Sequence, residues 1–135
     1  MLFASAHSRP SDRPQTPDEI GNFPLALLDG PASRLPVYQW LESISKSGLT
    51  PIRCSNLSAL RTAVASGAAL SILPCTKSYG DPDLVACFPP MTEFDVELFL
   101  IARRSALRRP PVRDLFEAIE AYLWAHPQML SGERP

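Results

Sequence analysis

Between Asn56 and Pro74 the sequence NLSALRTAVASGAALSILP changes its period half-way. Leu57, Leu60, Ala63 and Val64 recur at helical spacing and line one face of a short helix. Asn56 is placed to cap it, because its side chain can accept from a free N–H of the first turn. Gly67 is placed to stop it, because glycine takes φ > 0 with no Cβ penalty. Ala69 to Leu73 is then a short apolar run closed by Pro74, which predicts a strand buried on both faces. Cap, helix, glycine stop and buried strand together form the tail of a parallel α/β unit.

The rest of the chain extends that unit. Leu2 to Ala6 predicts a strand, and Ser8 to Gln15 a polar, proline-rich loop. Thr16, Pro17 and Glu19 stand at the N-cap, N1 and N3 positions of a capping box, and Gly21, Asn22 and Pro24 keep the helix short. Leu25 to Leu28 predicts a buried strand, followed by the loop Asp29 to Ser33. A helix follows over Leu35 to Ser47, with Val37, Trp40, Leu41 and Ile44 on one face and Gly48 at its end. Thr50 to Cys54 supplies the next strand. The order β-α-β-α-β-α-β through Pro74 predicts a mostly parallel sheet with helices on its faces. Beyond Pro74, Lys77 to Asp83 is turn-rich, and Leu84 to Phe88 and Val96 to Ala102 are strand patterns. Arg103 to Arg109 is a basic loop, and Pro110-Pro111 opens an amphipathic helix carrying Leu115, Phe116, Ile119 and Leu123. Residues 127–135, opened by Pro127, read as a disordered tail.

Composition removes several classes. The net charge is −1, and basic residues cluster only as Arg103-Arg104 and Arg108-Arg109, so there is no stripe for nucleic acid. The cysteines Cys54, Cys75 and Cys87 are odd in number, widely spaced and in apolar contexts, which fits buried free thiols in a reducing compartment. No charged n-region precedes an apolar run, and nothing approaches a transmembrane length, so the expected location is cytoplasmic with no membrane partner. No Cys/His pair has metal-ligand spacing, and G-x-S-x-G, P-loop and H-E-x-x-H patterns are absent. No catalytic residue, metal or cofactor is therefore expected. Glu117 and Glu120 share a helix face as a solvated pair, and His7 and His126 lie at opposite ends of the chain.

Val64 to Pro74 (VASGAALSILP) resembles the V-x-x-G-x-G-I-x-x-L-P signature of the effector-binding domain of LysR-type transcriptional regulators, with Ala69 at the second glycine. The likeness continues in order. Leu2 to Pro10 resembles the crossover strand between subdomains, and Thr16 to Leu28 the helix and strand after it. Ser47 to Pro51 resembles the end of the family's F-x-x-x-G-L-x-P passage. Gly80 to Val85 and Ala106 to Leu115 (ALRRPPVRDL) resemble a subgroup's closing segments. The resemblance implies an α/β fold like a type-II periplasmic binding protein. Residues 1–83 would be a nearly complete second subdomain, and residues 84–126 the closing strands and helix of a partial first one. It implies no helix-turn-helix in this chain, hence no direct DNA contact, and apolar faces on the closing elements left without their usual strands.

In such a sheet, ligands sit beyond the carboxyl ends of the strands, near helix N-termini that favour anions. Two segments qualify. In the first, Asp29, Gly30, Pro31, Ser33 and Arg34, Gly30 allows close backbone approach, Ser33 offers a hydroxyl or a cap, and Arg34 can pair a carboxylate. The bland alternative is an ordinary βα loop with a surface arginine. The second is Ser55, Asn56, Leu57 and Ser58, where the bland alternative is a cap and nothing more. The resemblance implies that both loops line the effector cleft for a small metabolite, and the helix N-termini beside them favour an anionic group. Alternatively the chain is an interaction fragment that associates with itself or with a full-length LysR-type regulator. A small α/β enzyme and a fragment without independent function are the remaining readings.

Overall fold

The strand β1 (Leu2–Ser5) runs through the middle of the protein, and all four of its residues are buried. It is the first element of the computed structural model, which describes residues 1–46 and 48–131. Two short 3₁₀ turns follow, Pro10–Asp12 and Pro17–Asn22. Next come β2 (Ala26–Leu28), a 3₁₀ turn over Gly30–Arg34 and α1 (Pro36–Ser43). Then come β3 (Ile52–Cys54), α2 (Leu57–Ala65), β4 (Ser71–Ile72) and the single turn α3 (Cys75–Ser78). The chain closes with β5 (Leu84–Ala86), α4 (Pro110–Ala125) and α5 (Pro127–Ser131).

The sheet is mixed, where the sequence predicts a mostly parallel one. β2 and β3 are parallel, with Ala26 opposite Ile52 and Leu28 opposite Cys54. β1 lies between β4 and β5 and is antiparallel to both, with Leu2 opposite Ile72 and Ser5 opposite Leu84. The two sheets meet at a parallel bridge between Leu25 and Leu70. There the Ala26 N–H donates to the Leu70 carbonyl and the Leu70 N–H to the Pro24 carbonyl, each at 2.8 Å. Alternating strand and helix patterns give element order, but not the direction of a strand entered through a loop. The β1–β2 connection is built of loops and 3₁₀ turns, so no crossover helix forces β1 to run parallel. Leu84–Ala86, grouped by sequence with the C-terminal elements, instead extends the sheet of β1.

The core is aliphatic. Leu2, Ile20, Leu25, Leu27, Leu41 and Leu60 are buried to within 2% of complete. Each such side chain contributes about 1.5–3 kcal/mol of transfer free energy. Leu60 and Val64, one turn apart on α2, are the buried face the helical spacing predicts. Buried polar groups are satisfied: Ser71 Oγ donates to the Ala26 carbonyl at 2.7 Å, and the Tyr38 hydroxyl to the Ile72 carbonyl at 3.1 Å. Burial pushes the Tyr38 hydroxyl up to about 12.

Four local expectations change. Thr16 makes no side-chain cap, and Glu19 Oε2 instead accepts from the Gln15 N–H at 2.7 Å. The segment it opens is a six-residue 3₁₀ helix that runs through Gly21 to Asn22. The helix predicted to reach Ser47 ends at Ser43, and Ser47 lies outside the described residues. Val96 to Ala102 form no strand: no described residue pairs with them. The pattern is strand-like, but a ladder also needs a neighbour. Finally, the segment expected as a tail opens with α5, where Gln128 Nε2 donates to the Tyr79 hydroxyl at 3.0 Å; residues 132–135 lie outside the described residues.

Candidate functional site

Because β2 and β3 are parallel neighbours in register, their carboxyl ends coincide. Asp29 and Ser55 follow the paired residues Leu28 and Cys54, and the Asp29 N–H donates to the Cys54 carbonyl at 2.9 Å. The two loops selected from the sequence are thereby brought to one edge of the sheet.

Gly30 adopts φ +69°, and nothing lies within 4 Å of where its Cβ would be, so the backbone there is open to a ligand. Pro31 follows it at the start of the 3₁₀ turn. Ser33 does not cap α1. Its Oγ donates to the Gly30 carbonyl at 2.8 Å, which braces the turn. Arg34 is exposed and makes no ion pair among the described residues. A guanidinium in that state keeps its planar fork free for a carboxylate or phosphate.

Across the edge, Asn56 caps α2 as its position predicts. Its Oδ1 accepts from the Ala59 N–H at 2.9 Å, while its amide nitrogen donates to Ser55 Oγ at 3.2 Å. The cap takes one first-turn donor. The N–H groups of Leu57 and Ser58 have no intrahelical acceptor and find none among the described residues. Leu57 is half-buried beneath this turn, and Ser58 is exposed beside it. Below both loops sits Cys54, whose thiol is pushed up by burial first and by the Asp29 carboxylate second. It is a packed, protonated thiol rather than a nucleophile.

This edge therefore carries, among the described residues, an open loop with an unpaired arginine and two helix N–H groups without an acceptor. A family description, LysR substrate binding domain, matches residues 1–124. The chain belongs to that family. No curated protein and no solved structure gave a significant match. Members of the LysR substrate-binding family are regulatory domains that bind an effector and act in transcription. The match spans both the sheet and the C-terminal helix α4, including the signature segment Val64 to Pro74. Within that signature Ala69 is 4% exposed and does not occupy positive φ, so alanine fits the second glycine position without backbone strain.

Two features of this LysR-type domain were not selected from its sequence. At the opposite edge, Arg61 on α2 forks onto Asp81 at 2.7 and 2.8 Å and reaches Asp83 at 2.7 Å. His7 Nε2 lies 3.5 Å from the other Asp83 oxygen. The hydrogen bonds from Arg61 hold both carboxyls below the usual range, with His7 adding to the effect on Asp83. Twenty residues separate Arg61 from Asp81, so no local spacing announces the pair. The second feature is a groove of about 690 Å³ between Leu98–Leu100 and α4–α5, lined by Phe116, Ile119 and Trp124. Among the described residues no group of three His, Cys, Asp or Glu side chains is placed to hold a metal, and no helix is long and apolar enough to cross a membrane.

Proposed function

We propose that this LysR-type domain binds a small anionic metabolite at the edge formed by Asp29–Arg34 and Ser55–Ser58. Arg34 takes the anionic group, and the N–H groups of Leu57 and Ser58 complete its shell. The observation that carries the reading is the register of β2 and β3, which sets both loops at one edge with their donors unused. The effector would favour one arrangement of the edge over another, which is how binding becomes a signal. On this reading residues 1–83, with β5 added, are the second subdomain, and the elements from about residue 92 to 126 belong to the first. The proposed location is cytoplasmic, and DNA is contacted by other parts of the regulator.

The test is thermal unfolding of the chain against a panel of small carboxylic acids and phosphate esters. One ligand should raise the midpoint of the wild-type chain and leave that of Arg34→Ala unchanged. A panel without any shift, or a shift that survives Arg34→Ala, sinks the assignment. A second reading, association with an intact LysR-type regulator, is favoured by the apolar surface on Val96–Ala102 and α4; co-purification with a full-length regulator tests it.

A further inference from the structure

Asp29 is a carboxylate that the fold leaves without a partner. It stands at the N-cap of the 3₁₀ turn over Gly30–Arg34, where an aspartate ordinarily accepts from the N–H of the second or third residue. The second residue here is Pro31, which has no N–H, and the Asp29 side chain makes no cap bond. It is exposed and enters no ion pair among the described residues. Its backbone is nevertheless fixed, because its N–H donates to the Cys54 carbonyl beside it. The Cys54 thiol beneath, pushed up by burial and then by this carboxylate, marks the carboxylate as standing over the ends of β2 and β3.

Arg34, at the other end of the same turn, is the complementary charge, and it too is exposed and unpaired among the described residues. A 3₁₀ turn advances about 2 Å per residue, so the chain moves on by about 10 Å from Asp29 to Arg34. The two charges therefore stand apart on one edge instead of neutralising each other. The loops Asp29–Arg34 and Ser55–Ser58 contain no other ionisable side chain, so their net charge is zero. A simple anion at this edge would meet the Arg34 guanidinium and an uncommitted carboxylate in the same loop, and the second repels what the first attracts. A molecule with one charge of each sign satisfies both.

We propose that the effector carries a protonated amine as well as a carboxylate, as an amino acid does, with Asp29 taking the ammonium group and Arg34 the carboxylate. This rests on the effector reading above and narrows it to a chemical class. The N–H groups of Leu57 and Ser58 stay on the carboxylate side, and Asp29 is the acceptor that the ammonium group needs.

The experiment is isothermal titration calorimetry of the full chain with the standard amino acids. Each one that binds is followed by the matching acid without the amine and the matching amine without the carboxylate. At least one amino acid should bind, and both of its truncated forms should bind about tenfold or more weakly. Asp29→Asn keeps the shape of the side chain and removes its charge. It should weaken the amino acid by a similar factor and leave the amine-free acid at or above its wild-type affinity, with circular dichroism to check the fold. The three-ligand comparison on the wild type needs no variant, so it decides even if Asp29→Asn does not fold. The two readings fail separately. If amine-free acids or phosphate esters bind through Arg34 and no amino acid binds more tightly, the effector reading stands and the amine is overturned. If no probe binds, or binding survives Arg34→Ala, both are overturned. A folded Asp29→Asn that weakens the amino acid and the amine-free acid alike, or weakens neither, shows that Asp29 does not meet the ammonium group and overturns the proposal.

Discussion

Gly21 is where a single added methyl group meets the least room. An ideal Cβ there would stand 2.0 Å from the backbone oxygen of Ile44, and the Gly21 carbonyl already accepts from the Lys46 N–H at 3.2 Å. Neither backbone can yield alone, so Gly21→Ala should lower stability by about 1–3 kcal/mol, read as the shift of the urea midpoint. Gly67→Ala should also destabilise, but for another reason. Its nearest neighbour is Ser5 Cβ at 3.9 Å, so there is space; the loss, about 1–2 kcal/mol, comes from φ +78°. The two glycines differ in how far the sequence reveals them. Gly67 is legible because it ends a helical pattern. Gly21 is readable only as a breaker, since its clash partner lies on another element. Likewise the Asn56 cap is local and follows from its position. The Ser33 hydroxyl had several reachable acceptors, and only the folded turn selects the Gly30 carbonyl.

At the scale of elements, α2 is fixed at two points by different chemistry. Its N-terminus has a cap, and its middle is tied by Arg61 to the loop before β5. Asp81 and Asp83 titrate below their unfolded values because Arg61 bonds the ionised forms. Their contribution is therefore complete above the unfolded carboxylate pKa of about 4 and is lost as pH falls through the depressed folded values. Arg61→Gln should lower stability at neutral pH and flatten that acid limb. A variant with an unchanged acid limb would show that the fork contributes nothing. Most of the effect belongs to Asp81, with a side chain 12% exposed, since solvent screens the 43% exposed Asp83. The elements themselves were readable to different degrees. β2, β3 and α2 follow from period and breakers. The direction of β1 does not, because hydrophobic alternation is the same read in either sense. Val96 to Ala102 has the composition of a strand, but pairing is a property of two segments, and one segment's sequence cannot supply the other.

For the whole molecule, the effector reading carries a thermodynamic signature. A ligand at one hundred times its dissociation constant should stabilise the chain by about 2.7 kcal/mol if it binds only the folded state. Arg34→Ala should remove that gain and leave the unliganded midpoint where it was, because Arg34 is exposed and unpaired. Loss of stability without ligand would show that Arg34 braces the fold. Both candidate loops were visible in the sequence because βα loops have a fixed place in such folds. That they share an edge depends on the β2–β3 register, which only the folded chain displays. The central place of β1 has a consequence for how the protein is made. Leu2 through Ser5 are made well before their partners Ser71, Ile72 and Leu84 to Ala86. Phe3 and its partner Ser71 are 68 residues apart, so that stretch must be made before the strand has anything to pair with. The buried centre of the finished molecule is thus, until that stretch has emerged, an apolar segment without a site, open in the interval to the wrong partners that unpaired strands invite.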